Sequence, residues 1–450
     1  MVRNLYARLA FGNLKKNRKI YLPYILTCII TVMMFYMIHS LSINDGIATM
    51  YGGRTIQYSL NYGTIIVGIF AVIFLFYTNS FVIKRRKKEF GIFNVLGMEK
   101  RHLGIVLIFE TLYIALISIG IGLFLGILMD KLMYLIIANI LQSNYGIGFF
   151  ISCKSILMTL ALFALIFIGI FFISFVRVKT SQPIELLKGE NIGEKEPKTR
   201  HIIAIIGAVS LALGYICAVF TKNAIAAIEL FFIAVILVIL GTYFLFTAGS
   251  IALLKLLKKN KKFYYRTNHF TSVSGMIYRM KQNAVGLASI CILFTMLLVT
   301  ISTTLSFMVG GYNKGDEFMS VYGGMFFLGV YLGLLFLMGM ILIIYYKQIS
   351  EGYEDKKRFE IMQKVGMSYA EVKNSINTQI LIVFFLPLLM AGIHIVFAFP
   401  MINLIMDIVG LTSTKLFALC SLGCFLFFSI IYIIVYLLTA KIYYRIVKAK

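Results

Sequence analysis

Few side chains could carry chemistry inside the apolar segments of this sequence. Glu110, Glu229, Asp130 and Asp407 lie near the ends of such segments, and His394 alone lies deep within one. Ionisable groups there are candidate proton carriers or ion ligands. Glu110 lies about two helical turns into its segment, from where it can still reach lipid headgroups. Because these carboxylates lie near opposite faces, they form no relay, and a hydrogen bond to an exposed carbonyl or to a neighbouring helix is the simpler role for His394.

No sequence motif indicates a catalytic, metal or nucleotide site on this chain. The patterns GxxxxGK[ST], HExxH and GxSxG are absent. The six cysteines are scattered, and Cys420 and Cys424, four residues apart, have no histidine or carboxylate beside them. Packing is the better interpretation of that pair. We therefore predict no catalytic residue, no metal ligand and no bound cofactor on this chain, so that any energy source must lie elsewhere.

The composition requires a membrane. The chain has 450 residues, 60% apolar and 14% charged. Segments of about 20 apolar residues cross the hydrocarbon as helices, and barrel-like alternation is absent. Ten such segments are residues 21–43, 60–83, 103–129, 155–176, 202–220, 224–246, 284–309, 322–346, 376–405 and 416–440. The sequence thus predicts an all-α integral membrane protein with ten transmembrane helices.

The basic residues are distributed unevenly between the two sides of these helices. Of 43 lysines and arginines, 37 fall in the N-terminal segment, alternate connections and the C-terminal tail, and six fall in the opposite connections. Positive residues mark the cytoplasmic side. Both termini are therefore predicted to be cytoplasmic. The net charge of +25 is explained by topology and membrane lipid, without nucleic acid.

Two charged islands repeat one another. Residues 89–98, "EFGIFNVLGM", align without gaps on residues 358–367, "RFEIMQKVGM". Further upstream, residues 12–17, "GNLKKN", resemble residues 278–283, "YRMKQN", with the register shifted by three. The pattern indicates a duplicated four-helix unit, helices 1–4 and 7–10, joined by helices 5 and 6.

Each island is predicted to be a short cytoplasmic helix that turns sharply into the next long helix. Its apolar residues recur every three positions, and Gly97 and Gly366 permit the left-handed stop of a helix. These apolar residues are Phe90, Phe93 and Leu96 in the first island, and Phe359, Met362 and Val365 in the second. Apolar side chains rimmed by charge fit a protein partner. They equally fit the inner leaflet of the membrane.

Backbone-shaping residues and basic segments give further expectations. Pro387 predicts a bend or break in helix 9, with His394 seven residues later. Residues 1–20 and 270–283 are predicted to be interfacial helices whose apolar face meets lipid. Spaced glycines that would let helices approach closely are Gly120, Gly122, Gly126, Gly329 and Gly333.

The islands and the helices after them resemble the FtsX-like permease family of ABC transporters. The first copy carries "EFGIFNVLGM" and then "FETLYIALISIGIGLFLG", which contains Glu110. The second copy, "EDKKRFEIMQKVGM" with "FFLPLLMAGIHIVFAF", contains Pro387 and His394 and is similar to the BceB-like branch. The resemblance covers nearly the whole chain and implies two FtsX-like four-helix modules around a central helix pair.

The resemblance implies that the islands are coupling helices that seat on a dimer of separate cytoplasmic ATPases. ATP and Mg²⁺ would then be bound by that partner. On this interpretation the coupling positions are Glu89, Phe90, Phe93, Gly97, Met98, Arg358, Phe359, Met362, Gly366 and Met367. Glu110, Pro387 and His394 match transmembrane positions of the family. A second permease or a sensor kinase is a further partner that the resemblance suggests.

These expectations divide the chain into segments. They are an interfacial helix at 1–20, a first module at 21–176 with its coupling helix at 84–102, a linker with helices 5–6 at 177–249, a basic connection with an interfacial helix at 250–283, a second module at 284–440 with its coupling helix at 351–367, and a basic tail at 441–450. The large extracellular domain of BceB-like permeases is replaced here by residues 310–321.

Two functions fit this organisation. The first is an ABC transporter permease that exports or dislodges an amphipathic or lipid-like substrate, such as an antimicrobial peptide. The second is a non-transporting transmembrane element that uses ATP-driven helix motion to control a sensor kinase or an extracellular partner. An intramembrane enzyme is disfavoured, because no catalytic groups share a helix face.

Overall fold

The computed structural model is built from α-helices. It describes residues 2–49, 52–140, 151–180, 200–264, 267–312, 316–364, 366, 369–408, 410 and 413–448. The helices are α1 (Val2–Lys16), α2 (Arg18–Ser42), α3 (Asp45–Ala48), α4 (Gly53–Val95), α5 (Lys100–Ile140), α6 (Cys153–Thr180), α7 (His201–Phe220), α8 (Ala224–Phe244), α9 (Ser250–Lys259), α10 (Lys261–Tyr264), α11 (Thr267–Gly311), α12 (Asp316–Lys364), α13 (Tyr369–Ile408) and α14 (Thr414–Lys448). A π-helical turn, Leu245–Gly249, joins α8 to α9.

Ten helical stretches within the described residues are long and apolar enough to span a membrane. This confirms the all-α class and the ten predicted spans. Some spans belong to longer helices: the span Gly53–Arg86 lies within α4, and the span Val321–Tyr353 lies within α12. The parts of α4 and α12 that follow these spans contain the two islands.

Two compact units divide the chain. The first comprises Met1–Gly193 and Lys314–Leu328, and the second comprises Glu194–Asn313 and Gly329–Lys450. In the first unit, α2 packs on α4 and α5, while α1 packs on α5. In the second unit, α11 packs on α13 and α14, and the paired helices α7 and α8 pack on α13.

Glycines allow α2 and α5 to approach closely, as the sequence predicts. A Cβ atom on Gly122 would lie 2.7 Å from Val32 Cβ and 2.9 Å from the carbonyl oxygen of Ile29. Gly126 faces Tyr36 in the same way, whereas a Cβ atom on Gly120 would have no neighbour within 4 Å. The α2–α5 contact therefore depends on Gly122 and Gly126, and Gly120 lies outside it.

We expect Gly122→Ala to lower the free energy of unfolding by about 1–3 kcal/mol, because the added methyl group overpacks a backbone contact. The matched control is Gly120→Ala, on the open face of the same helix, which should leave the free energy of unfolding unchanged or raise it by up to about 1 kcal/mol through the better helix propensity of alanine. Unfolding of the purified protein in detergent measures both. Equal effects of the two substitutions would contradict this packing.

The islands are not separate short helices, and that prediction from the sequence is wrong. The first is the continuation of α4 to Val95, and the second is the continuation of α12 to Lys364. The predicted glycine stops are confirmed, since Gly97 and Gly366 have φ angles of 89° and 100°. At Gly97, the amide of Met98 donates to the carbonyl of Phe93 at 2.9 Å, which closes a Schellman motif. Each island is thus a rigid extension of a membrane-spanning helix.

Of the bend or break predicted at Pro387, the break is absent, because α13 runs without interruption from Tyr369 to Ile408. The predicted interfacial segment at 270–283 is the first part of the continuous α11, and its apolar residues Val273, Ile277 and Met280 are buried within the protein. Burial in the second unit therefore replaces the lipid contact that periodicity suggested.

Candidate functional site: two helix tips and their buried ion clusters

The end of α4 exposes an apolar surface beyond the last residue of its span. Ile92, Val95 and Leu96 are 45%, 65% and 76% exposed. We call these three residues the first tip. The span of α4 ends at Arg86, so the first tip lies outside the apolar segment, among charged residues. Exposed aliphatic side chains in such a setting are suited to burial by a partner.

Phe90, predicted as an exposed anchor, faces the opposite way. It is 2% exposed and packs in a core cluster with Ile83, Leu103, Leu107 and Val178. Phe93 and Met98 are partly buried against the same cluster. The prediction that Phe90 is an exposed side chain is therefore wrong, and the side chains of the first tip take its place on the surface.

The second tip lies at the equivalent place in α12, and we define it by Ile361. Ile361 aligns on Ile92 and is 61% exposed. A Cβ atom on Gly366, as on Gly97, would have no neighbour within 4 Å. The side chains of Arg358, Phe359 and Met362 fall outside the described part of the structure, as does the whole of Met367.

A buried ion cluster lies just before the first tip. Arg86, whose side chain is 1% exposed, donates to both carboxylate oxygens of Glu110 on α5, with 2.9 Å between its Nη2 and Glu110 Oε1. Its Nε donates to Glu89 at 3.0 Å. Asn13 donates to Glu110 at 2.9 Å, and Tyr21 donates to it at 3.2 Å. Glu110 is thus the centre of an ion cluster. The prediction that it can reach lipid headgroups is wrong, because it is 2% exposed.

The first cluster connects four helices. Asn13 comes from α1, Tyr21 from α2, Arg86 and Glu89 from α4, and Glu110 from α5. The Arg86 guanidinium also lies over the Phe90 ring, 4.9 Å from the ring centroid. A buried charge is tolerated when it is paired and its remaining donors are satisfied. The network therefore ties the end of the α4 span to α1, α2 and α5.

A second buried ion cluster lies just before the second tip. Arg279 on α11 is 2% exposed, and its Nη2 donates to Asp355 on α12 at 2.6 Å. Tyr443 on α14 donates to the same carboxylate at 2.7 Å. Glu351 lies one turn earlier on α12, with its Oε2 3.7 Å from Arg279 Nη1. Lys347 Nζ lies 3.9 Å from Glu351 Oε1. Three helices of the second unit meet at this cluster.

The carboxylates keep Arg279 charged despite its burial. Burial by itself would lower the pKa of the Arg279 guanidinium. The negative charges of Asp355 and Glu351 outweigh that effect and raise the pKa above its ordinary value. The cation in the cluster is therefore permanent over the whole physiological range of pH.

His394 has the structural role that the sequence favours. Its ring is 3% exposed and hydrogen bonds through Nδ1 to the Tyr215 hydroxyl at 2.6 Å and through Nε2 to the Thr242 hydroxyl at 3.1 Å. These partners lie on α7 and α8, so the histidine joins α13 to both helices. Glu229 and Asp407 are exposed, and neither is near the two clusters in sequence.

One more buried carboxylate of the first unit lies on α5, 20 residues beyond Glu110. Asp130 is 5% exposed and accepts a hydrogen bond from the Ser40 hydroxyl at 3.0 Å. Within the described residues, no group of three or more histidines, cysteines, aspartates and glutamates is arranged to hold a metal ion. The two ion clusters pair buried charges between helices, and their position beside the tips is their most informative feature.

Comparison with known proteins relates the chain to membrane permeases. Residues 61–183, which include the first tip and Arg86–Glu110, match the family model described as FtsX-like permease C-terminal. From Bacillus subtilis (strain 168), the uncharacterised ABC transporter permease YvcS is 30% identical over 278 residues, 61% of this chain and 43% of the relative. The bacitracin export permease protein BceB of the same organism is 28% identical over 313 residues, 66% of this chain and 46% of the relative. The chain therefore spans less than half the length of these relatives.

Proposed function

We propose that this chain, which carries an FtsX-like permease domain and is homologous to ABC transporter permeases, is the membrane subunit of an ATP-driven transporter. Its ten spans would form the transmembrane part. A separate cytoplasmic ATPase, binding ATP and Mg²⁺, would supply the energy. The chain itself would then act as a non-catalytic subunit.

One observation carries this proposal above all others. Two helices, each continuous with a membrane span, end in exposed apolar tips at aligned positions, Ile92 and Ile361. A tip that continues a spanning helix moves with that helix, because an α-helix is a stiff rod over this length. Two such tips in one chain fit two ATPase subunits, one for each tip. ATP-driven closure of the ATPase pair would then displace α4 and α12 directly.

The proposed cargo is an amphipathic or lipid-like compound such as an antimicrobial peptide. The support is the resemblance to two relatives whose names give bacitracin export. Many side chains along the spans are large, apolar and exposed, among them Leu165, Ile236 and Leu389. Surfaces of this kind suit a substrate that partitions into the bilayer.

The test is reconstitution of the chain with the ABC ATPase encoded beside it. We expect a purified complex with two ATPase copies for each chain, and ATP hydrolysis in lipid vesicles that changes when an amphipathic peptide is added. A chain that purifies without any ATPase under these conditions would contradict the proposal. If ATP hydrolysis altered the activity of a co-purified kinase and left the peptide distribution unchanged, the result would favour signalling over transport as the function.

A further inference from the structure

The two ion clusters have the same position relative to the two tips. Arg86 precedes Ile92 by six residues on α4, and Asp355 precedes Ile361 by six residues on α12. Six residues of α-helix span about 9 Å. In each unit a fully buried charge therefore holds the helix about two turns before its exposed tip.

The charges of the two clusters are inverted. In the first unit the tip helix supplies the cation, Arg86, and α5 supplies Glu110. In the second unit the tip helix supplies the anion, Asp355, and α11 supplies Arg279. The gapless alignment of the islands places Arg86 on Asp355. What the two units share is a buried ion pair at the same position of the helix that carries the tip, with the signs exchanged; the partner lies on α5 in the first unit and on α11 in the second.

The alignment of the residues at the start of the spans Arg18–Ser42 and Asn283–Gly311 makes the exchange more specific. Residues 12–17 align on residues 278–283, which places Asn13 on Arg279 and Asn17 on Asn283. Asn13 already donates to Glu110 in the first cluster at 2.9 Å. Asn17 donates to Glu89 at 2.8 Å, and Asn283 donates to Glu351. In both units, the side chains at these two aligned positions donate hydrogen bonds to carboxylates of the ion cluster.

We infer that Arg86 and Arg279 are positioning residues. Each belongs to an ion cluster, which we call a joint, that fixes its tip at a set angle to the membrane spans. The helix that carries the tip supplies the cation in the first joint and the anion in the second. The inference rests on the proposed function for the meaning of the tips, but its geometry does not require a partner. Movement of the first tip would be passed through Arg86 to α2 and α5. Movement of the second would be passed through Asp355 and Arg279 to α11 and α14.

The angle of the first tip can be measured in the full chain alone. Spin labels on non-canonical residues at Leu96, in the tip, and at Leu22, beside Tyr21 on α2, leave the native cysteines in place. Both positions are exposed, at 76% and 66%. In lipid nanodiscs we expect a narrow distance distribution for the unmodified chain and at least a twofold wider one for Arg86→Gln. The matched control is Arg54→Gln, an exposed arginine on the same helix, which should leave the distribution unchanged.

The inverted polarity of the second unit supplies a rescue experiment. Arg86→Asp places a third carboxylate against Glu110 and Glu89 and should widen the distribution further. Adding Asn13→Arg returns a cation from the position that Arg279 occupies in the second unit. We expect the distance distribution of the double variant N13R/R86D to be at most about a third wider than that of the unmodified chain. Recovery of the width would show that a cation in the cluster, from either helix, is what sets the distribution.

The measurement is made well below each variant's unfolding temperature, so that loss of stability is separated from loss of the angle. If Arg86→Gln does not fold, Glu110→Gln, which keeps the shape and leaves Glu89 as counter-ion, is measured instead and should also widen the distribution. An unchanged width in a folded variant would overturn the inference, as would a double variant that stays as wide as Arg86→Asp.

The second unit gives an independent measurement. Labels at Ile361 and at Leu438 on α14, which is 58% exposed, should report the same widening for Arg279→Gln. These distances are measured without an ATPase. If the ATPase failed to bind but the distances widened as expected, only the proposed function would be contradicted. If the ATPase bound but the distances stayed unchanged, only the inference about the joints would be contradicted.

Discussion

Replacing Ile92 and Ile361 together by aspartate is expected to reduce co-purification of the ATPase by at least a hundredfold while the chain remains folded in the membrane. Each isoleucine is exposed at the end of a helix extension, so the aspartates are hydrated in the free chain and cost little stability. In a complex they would be buried in an apolar seat, where an unpaired carboxylate is strongly unfavourable. The measurement is the amount of ATPase retained on the affinity-purified chain.

The matched control for this prediction is Ile151→Asp. Ile151 is 46% exposed, against 45% for Ile92, and it lies outside the spans on the side predicted to be extracellular. It should leave ATPase retention unchanged. The sequence also predicts a loss for Phe359→Asp. Full retention by the double variant, with Ile151→Asp also silent, would exclude the tips as the ATPase-binding surface.

Replacing Arg86 by alanine is expected to lower the free energy of unfolding by about 3–5 kcal/mol. The substitution leaves the Glu110 carboxylate, in a residue that is 2% exposed, without its bidentate partner, and Glu89 loses a hydrogen bond as well. Asn13 and Tyr21 still donate to Glu110, which they stabilise without neutralising its charge. Reversible unfolding of the purified protein in detergent measures the loss.

The control removes both charges of the pair. Arg86→Met with Glu110→Leu replaces the two ions by apolar side chains, and Glu89, whose side chain is 30% exposed, can still be hydrated. We expect the double variant to be more stable than Arg86→Ala, because no unpaired charge stays buried. If Arg86→Ala lost less than about 1 kcal/mol, the buried pair would not hold the four helices together.

The spans and the glycine stops are predictable from the sequence because both depend on short-range features. About 20 apolar residues cannot be solvated in water, and Gly97 and Gly366 close their helices through local backbone conformation. The side of α4 that faces outward is predicted less well. A step of three residues turns an α-helix by about 300°, so a three-residue series drifts by about 60° per step. Phe90 and Leu96 therefore point in different directions, and only Leu96 belongs to the exposed tip.

The ion clusters could not be predicted because their partners are distant in sequence. Arg86 and Glu110 are separated by 24 residues, and Arg279 and Asp355 by 76. Arg86 stands within the basic run "KRRKK", which is typical of a solvated, topology-setting segment. The spacing alone gave a partial signal: Arg86 precedes Phe90 by four residues and shares its helix face, so the two side chains are buried or exposed together. The continuity of α4 through the island was missed because the charged run was interpreted as a break between helices, and charge alone does not end a helix.

Seating of the two exposed helix tips on an ATPase is tested most directly by site-specific photo-crosslinking. A photoreactive residue is placed at position 92, 361 or 151 of the full chain, which is expressed with the ABC ATPase encoded beside it and irradiated in intact membranes. We expect a crosslink to the ATPase from positions 92 and 361 and none from position 151. Crosslinks from 151 alone, or none from either tip in membranes where the ATPase is present, would show that the tips are not its seat.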